Sequence, residues 1–208
     1  MADKYRLLKV LLFREINRSP FIFKHIRSAP HAKVLDIGSW NSIVPIQLAM
    51  LGYYVTGIDI QEYGYTNPNF TFIQADFNRY NFKGKEFDIV TNISAIEHFG
   101  LLCYETKERD SDADKKALSK IRELLKSKGQ LLFTAPFGLH GEVENFERIY
   151  DMKDIRTLLK GFKIFSIETY LVNRHHVGKI RVEDAEKIQH NEKEHNYAVI
   201  CIDAEKMS

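Results

Sequence analysis

The chain of 208 residues is poor in the residues that hold small secreted or fibrous proteins together. It has two cysteines, Cys103 and Cys201, with five prolines, eleven glycines and one tryptophan. Two cysteines are too few for a disulfide framework, so the sequence reads as a protein of a reducing compartment, the cytoplasm. So little glycine and proline excludes collagen-like and low-complexity architectures. No apolar run approaches the roughly 18 residues of a membrane span. The N-terminus lacks the clean apolar stretch and small-residue cleavage site of a signal peptide. An excess of one charge is missing too: 30 Lys and Arg against 28 Asp and Glu leave +2, no general footprint for nucleic acid.

What is present suits a folded domain with a full core. Hydrophobic residues make up 44% and aromatics 12%, and a chain of this length can bury about 70% of its unfolded surface. The charge is unevenly spread. Residues 1–33 carry eight Lys and Arg against Asp3 and Glu15, a net +6, leaving −4 for the remainder. Leu8, Leu11, Leu12 and Ile16 follow a helical stripe between basic residues, and Ser19-Pro20 interrupts the pattern. We expect residues 1–32 to form an N-terminal helical extension. A layer packed on the domain is the preferred reading, against a lid over a ligand or a contact of residues 1–30 with an anionic membrane surface.

From residue 33 short β-rich runs alternate with helical stretches. Strands are predicted at Lys33–Ile37, Tyr54–Ile58, Phe70–Ile73, Phe87–Thr91 and Gly129–Thr134, and two closing strands at Phe162–Thr169 and Tyr197–Ile202. Helices are predicted from Ile43 to Leu51, from about Ser111 to Lys126 and from Asp151 to Leu159, with a short one near Glu183–Ile188. This alternation at βαβ spacing predicts an α/β domain over residues 33–208, with a mostly parallel, doubly wound sheet covered by helices on both faces. The last two strands fit an antiparallel pair as well as another crossover.

In such sheets ligands sit beyond the carboxyl ends of the strands. Asp36, Gly38 and Ser39 end the first strand, Asp59 the second, Asp76 the third, and Asn92 to His98 follow the fourth. An acid beside a buried strand is costly unless hydrogen-bonded or paired, so three in register point to a ligand rather than to three separate strand-end caps. Gly38 permits close backbone approach. Asp59 stands about 20 residues after it, the spacing of an acid that holds ribose hydroxyls.

These runs resemble the class I S-adenosylmethionine-dependent methyltransferases over residues 33–202. Val34-Leu35-Asp36-Ile37-Gly38-Ser39 is similar to the family's first motif. Val55-Thr56-Gly57-Ile58-Asp59-Ile60 is similar to its second, Phe72-Ile73-Gln74-Ala75-Asp76-Phe77 to its third and Phe87-Asp88-Ile89-Val90 to its fourth. Gly129–Thr134 resembles the strand after the fourth helix. The resemblance implies a Rossmann-like seven-stranded sheet with an antiparallel last strand, and S-adenosyl-L-methionine as cofactor. Asp36 and the Gly38 loop, with Ser39 and Trp40, would border the methionine end. Asp59 and Ile60 would hold the ribose side, Asp76 and Phe77 would frame the adenine, and Asn92 would complete the cofactor set.

The resemblance has one departure. The family's loop usually has glycine at every second position, whereas Trp40 and Ser42 stand here. Trp40 either narrows the pocket or packs away from it, and Ser42 is expected to cap the next helix. The missing glycines argue more strongly against a nicotinamide dinucleotide, whose pyrophosphate needs them.

The stretch Thr91–Gly100 resembles the substrate side of small-molecule methyltransferases and lacks the Asn/Asp-Pro-Pro-aromatic signature used on planar amino groups. His98 is the candidate base or substrate orienter, with Glu97 setting its tautomer or binding donor groups. The competing reading is that both merely begin a helix. His140, Arg148 and Tyr150 are further candidates at the same mouth. No spacing suggests a metal site: His175-His176 are adjacent and read as a solvated loop, and Cys103 has no activating partner in sequence. The expected function is methyl transfer to the oxygen or nitrogen of a small-molecule acceptor. The alternatives are a non-catalytic cofactor-binding module and a membrane-surface enzyme acting on a lipid-linked substrate.

Overall fold

The structure is a computed structural model, and it describes residues 19–104, 106–173, 177–191 and 196–208. Most of the basic N-terminal segment, including its 8–16 stripe, and His175-His176 lie outside the described residues.

Ten strands and five α-helices are seen among the described residues. In chain order they are α1 (residues 19–25), β1 (Lys33–Ile37), α2 (Val44–Met50), β2 (Tyr54–Asp59), β3 (Phe70–Gln74), β4 (Phe87–Ile93), α3 (Ala113–Leu124), β5 (Leu125–Phe137), β6 (Gly141–Val143), β7 (Glu147–Ile149), α4 (Met152–Leu158), β8 (Phe162–Val172), β9 (Val177–Ile180), α5 (Val182–Ala185) and β10 (Tyr197–Lys206). Eight strands form one sheet in the order β3-β2-β1-β4-β5-β10-β8-β9. The pairs β3–β2, β2–β1, β1–β4 and β4–β5 are parallel. β10 runs antiparallel between β5 and β8, so β8 points the same way as β5. The mostly parallel α/β fold with an antiparallel last strand is as expected. The sheet differs from the seven expected strands in gaining an eighth at its edge, β9, which folds back antiparallel on β8.

The alternation of side chains along each strand assigns them to two cores. Leu35, Leu131, Phe133, Ile200 and Ile202 face α3 and α4, where Leu118, Ile121 and Ile155 are buried. Val34, Leu132, Val199 and Cys201 face α1 and α2, where Phe21, Ile22 and Leu48 are buried. Both faces being covered explains why the strands read as nearly continuous apolar runs. Pro136 does not end β5, which continues to Phe137, because Ala135 to Phe137 still pair with β10. A two-stranded hairpin, β6–β7, then projects beyond the sheet. No described helix is long and apolar enough to cross a membrane.

The end of the basic segment that is described packs across the sheet rather than standing free of it. Phe21 and Ile22 are fully buried. Gln130 Nε2 donates to the His25 carbonyl (2.8 Å) and to Asp203 Oδ1 (2.8 Å). The centre of this seam is Glu168, whose side chain is 6% exposed and accepts from Lys24 Nζ at 2.6 Å, with Lys179 Nζ at 3.2 Å. Tyr170 also donates to it. Burial alone would push this carboxyl up, but the hydrogen bonds from Lys24, Tyr170 and Lys179 outweigh it and hold it at about 2.

A carboxyl whose native value lies below its unfolded one stabilises the fold above the unfolded value. Glu168→Gln is therefore expected to cost about 1–3 kcal/mol at neutral pH. The difference from wild type should shrink as pH falls from 4.5 towards 2. Denaturant unfolding of both proteins across that range measures it.

Candidate active site

The carboxyl ends of β1, β2, β3 and β4 meet at one cavity of about 280 Å³. Its floor is the turn after β1. Gly38 has φ +79°, which favours glycine, and a Cβ built on it would collide with the Cβ of Ala95 in the turn after β4. Two independent reasons therefore require glycine there. Beneath this turn lies Asp36, 1% exposed. Its carboxylate accepts from Thr91 Oγ1 (2.6 Å) on β4 and from Ser39 Oγ (2.8 Å). Burial pushes Asp36 up to about 6, the two hydroxyls working against that shift and the nearby Asp59 charge adding to it.

Asp59 stands on the wall. Its oxygens accept the N–H of Gln61 (2.8 Å) and of Trp40 (2.9 Å), so the acid that ends β2 orders the loop after β1. Burial raises its carboxyl, and backbone donors from Gln61, Trp40 and Ile60 oppose the shift. Ile60 and Trp40 line the same wall, Trp40 edge-on to Tyr104 with ring centres 6.0 Å apart. Ser42 does not lie in the cavity wall, and its Oγ accepts from Val44 N–H at the start of α2 (3.3 Å).

The third wall is the loop after β3. Asp76 accepts from the Asn78 N–H (2.8 Å) and lies 3.5 Å from Arg79 Nε. Phe77 is buried against Phe82 and Phe99. Helix α3 clamps this loop: Lys120 Nζ donates to the Phe77, Asn78 and Tyr80 carbonyls, and Asn78 Nδ2 donates to the Ala113 carbonyl.

The fourth wall follows β4. Ser94, with φ +48°, and Ala95 turn the chain into a single 3-10 turn, Ile96–His98. His98 lines the cavity. Its Nδ1 lies 2.6 Å from the Phe146 carbonyl, which can only accept, so Nδ1 carries the hydrogen and Nε2 the lone pair. Glu97 is 1% exposed and stands behind the wall rather than on it. Arg148 braces this turn by donating to the Glu97, Phe99 and Asp110 carbonyls. Arg109 holds the hairpin β6–β7 through Glu142 (2.6 Å) and Asn145. Cys103 also faces the cavity, and burial pushes its thiol up, which leaves it protonated.

Of the residues singled out in the sequence, Gly38, Trp40, Asp59, Ile60, Asp76, Phe77 and His98 come together around the cavity. Asp36, Ser39 and Asn92 do not reach it. They tie β1 to its own turn and to β4, Asn92 through the Ile37 carbonyl. His140 points away and pairs with Asp154 (2.6 Å), and Tyr150 is buried against Asp114 (3.1 Å). Sequence reasoning missed Gln61, Asn78 and Tyr104, and gave Ser94 and Ala95 only as members of the stretch after the fourth strand. Gln61 and Asn78 each lie two residues beyond a strand-end aspartate, which was a usable signal. Ala95 is recognisable only by its contact with Gly38.

Raising a carboxyl from 3.8 to about 6 means that its ionisation weakens the fold as pH rises through that interval. The sum over the interval is about 3 kcal/mol. Asp36→Asn removes this term, so the stability of the variant relative to wild type should improve by about that amount between pH 4 and pH 7. Denaturant unfolding at the two pH values checks it, and a constant offset from the substitution leaves the slope unchanged.

Solved structures with this fold show what the geometry resembles. A 1,6-didemethyltoxoflavin-N1-methyltransferase from Burkholderia thailandensis, with its acceptor and S-adenosylhomocysteine bound, aligns at TM-score 0.61 and 16% identity, over 94% of this chain and 79% of that one. The N-methyltransferase NodS of Bradyrhizobium japonicum, with S-adenosylhomocysteine, aligns at 0.63 and 11%, over 94% and 88%. A phosphoethanolamine N-methyltransferase of Haemonchus contortus aligns at 0.62 and 18%, over 92% and 53%. At such identities the likeness establishes the fold alone, a Rossmann-like α/β sheet shared with these methyltransferases. No curated protein matches the sequence significantly. The family model described as "Caenorhabditis protein of unknown function, DUF268" matches residues 54–202, well over half of the chain, and the chain belongs to that family.

Proposed function

We propose that the chain is an S-adenosylmethionine-dependent methyltransferase that transfers a methyl group to an oxygen or nitrogen of a small molecule. The observation that carries this reading is the convergence of Gly38, Asp59 and Asp76, from three different strand ends, on one cavity. Its size and its walls, which mix apolar side chains such as Trp40, Ile60 and Phe99 with polar and charged ones, suit a small polar ligand.

The residues fit the cofactor. Gly38 lets the turn after β1 pack directly on Ala95, so that backbone rather than a side chain borders the cavity there. Each Asp59 oxygen accepts one backbone N–H, and a carboxylate has about four acceptor sites, so capacity remains for two vicinal hydroxyls. Asp76, with Ile60 and Phe77, would take the adenine. S-adenosylmethionine, when bound, supplies a methyl carbon on a positively charged sulfur.

The chain's own residues would then do the rest. The turn holding Ser94 and Ala95 sets the distance between the cofactor end and the acceptor end, and alignment is the main requirement of an in-line displacement. His98, with Nδ1 held by the Phe146 carbonyl, borders the cavity and would serve as the orienter or base of the acceptor. Glu97, behind the wall, would act as a positioning residue. Trp40 and Tyr104 cover the site and exclude water. The Burkholderia and Haemonchus structures, each solved with S-adenosylhomocysteine and a small acceptor or its methylated relative, support the same reading for this cavity.

Calorimetric titration with S-adenosylhomocysteine tests it. Wild type should bind one equivalent, and Asp59→Ala should bind about 10–100-fold more weakly through loss of charge-assisted hydrogen bonds. Absence of binding in wild type, or equal binding by the variant, overturns the assignment.

A further inference from the structure

We propose that Glu97, His98 and Glu147 form a site for one divalent transition cation, of the Zn²⁺ or Mn²⁺ class, at the acceptor end of the cavity. The three side chains come from the 3-10 turn after β4 and from β7, about 50 residues apart in sequence, and all are buried. Each offers one ligand atom, and those atoms lie within 4.8 Å of one another. Bond lengths of about 2.0–2.2 Å from a shared ion would place them at most about 4.4 Å apart, so only a small contraction separates this arrangement from a ligand set.

Two further observations point to an ion. The first is the tautomer of His98. With Nδ1–H given to the Phe146 carbonyl, the lone pair sits on Nε2, the pattern found where imidazole is a metal ligand and a backbone carbonyl orients it. The second is His190, whose imidazole is 6% exposed and places Nε2 3.1 Å from Glu147 Oε1. That distance is within ion-pair range, yet neither ring nitrogen has a hydrogen-bond partner among the described residues. A buried imidazole aimed at a carboxylate out of line for a hydrogen bond is placed as a neighbouring ligand or outer support would be.

One imidazole and two carboxylates suit Zn²⁺ or Mn²⁺ better than Ca²⁺ or Mg²⁺, which favour all-oxygen sets. Three protein ligands also leave a coordination position for an exogenous oxygen. His98 is the member of the trio on the cavity wall, so a cation held behind it would fix the ring that borders the acceptor. This last step rests on the methyltransferase reading and would give His98 the orienting role rather than that of a free base; the binding of the cation does not.

The test uses untagged full-length protein stripped with chelator and titrated with Zn²⁺ alone. Wild type should bind one equivalent tightly, and Glu147→Gln and His98→Asn should each weaken binding at least tenfold. His140→Ala should bind as wild type, because it dismantles only the exposed cluster of His140, Asp151 and Asp154. Co²⁺ added to wild type should give d–d absorption bands of a low-coordinate nitrogen–oxygen site, a readout independent of whether the variants fold. Lack of saturable binding, unchanged binding in Glu147→Gln, or loss in His140→Ala overturns the proposal. S-adenosylhomocysteine titrated into the same samples separates the two readings: cation binding without nucleoside binding removes only the methyltransferase assignment, and the reverse removes only the cation site.

Discussion

The site depends on how closely the backbone after β1 approaches the backbone after β4. Asp36 makes that approach possible. It lies on β1 between Ser39 and Thr91, and so binds its own turn and the neighbouring strand through one carboxylate. Hydrogen bonds at this depth act in a low dielectric and are stronger than on the surface, while the same burial makes the charge expensive. Above it, Gly38 lies against Ala95, with no room for a Cβ on the glycine. If either turn shifted outward, the tips of the central strands would no longer share a cleft.

Around this fixed point the remaining walls are held by backbone capture, beside ring contacts such as Trp40–Tyr104 and Phe77–Phe99. Asp59 takes two N–H groups and so joins the loops after β1 and β2. Lys120 takes three carbonyls of the loop after β3. Arg148 takes three carbonyls around the turn after β4. In each case a charged side chain from one element satisfies backbone groups of another, which a loop at a sheet edge could not satisfy alone. The loops are thereby set by α3 and β7, whose positions are in turn set by the sheet.

The fold was legible because burial on both faces turns strands into short apolar runs. Val34-Leu35, Leu131-Leu132-Phe133 and Val199–Ile202 carry that signal plainly. Boundaries drifted at β5, which starts at Leu125 ahead of the polar Lys126-Ser127-Lys128 and runs on through Pro136, and at β8, which runs on through Tyr170-Leu171-Val172. The edge strand β9 and the hairpin β6–β7 were not foreseen, since Val177-Gly178-Lys179-Ile180 and Gly141-Glu142-Val143 are too short and polar to stand out. Among the site residues, those tied to strand ends were legible: Gly38, Asp59 and Asp76 follow directly from where β1, β2 and β3 stop. Asp36 was read as a wall residue and lies beneath the wall, because its side chain follows the strand's alternation into the core with Val34.

The sequence by itself determined the alternation of strands and helices, the two-faced burial of the sheet and the acids at its tips, since each is a matter of local pattern and of period along the chain. The tertiary structure alone decided which of those acids share a cavity, that Tyr104 lines it, and that Glu147 stands beside Glu97 and His98. The physical reason is that such meetings depend on strand order and on the return of a distant hairpin, and distance in space between elements leaves no trace in their spacing along the chain.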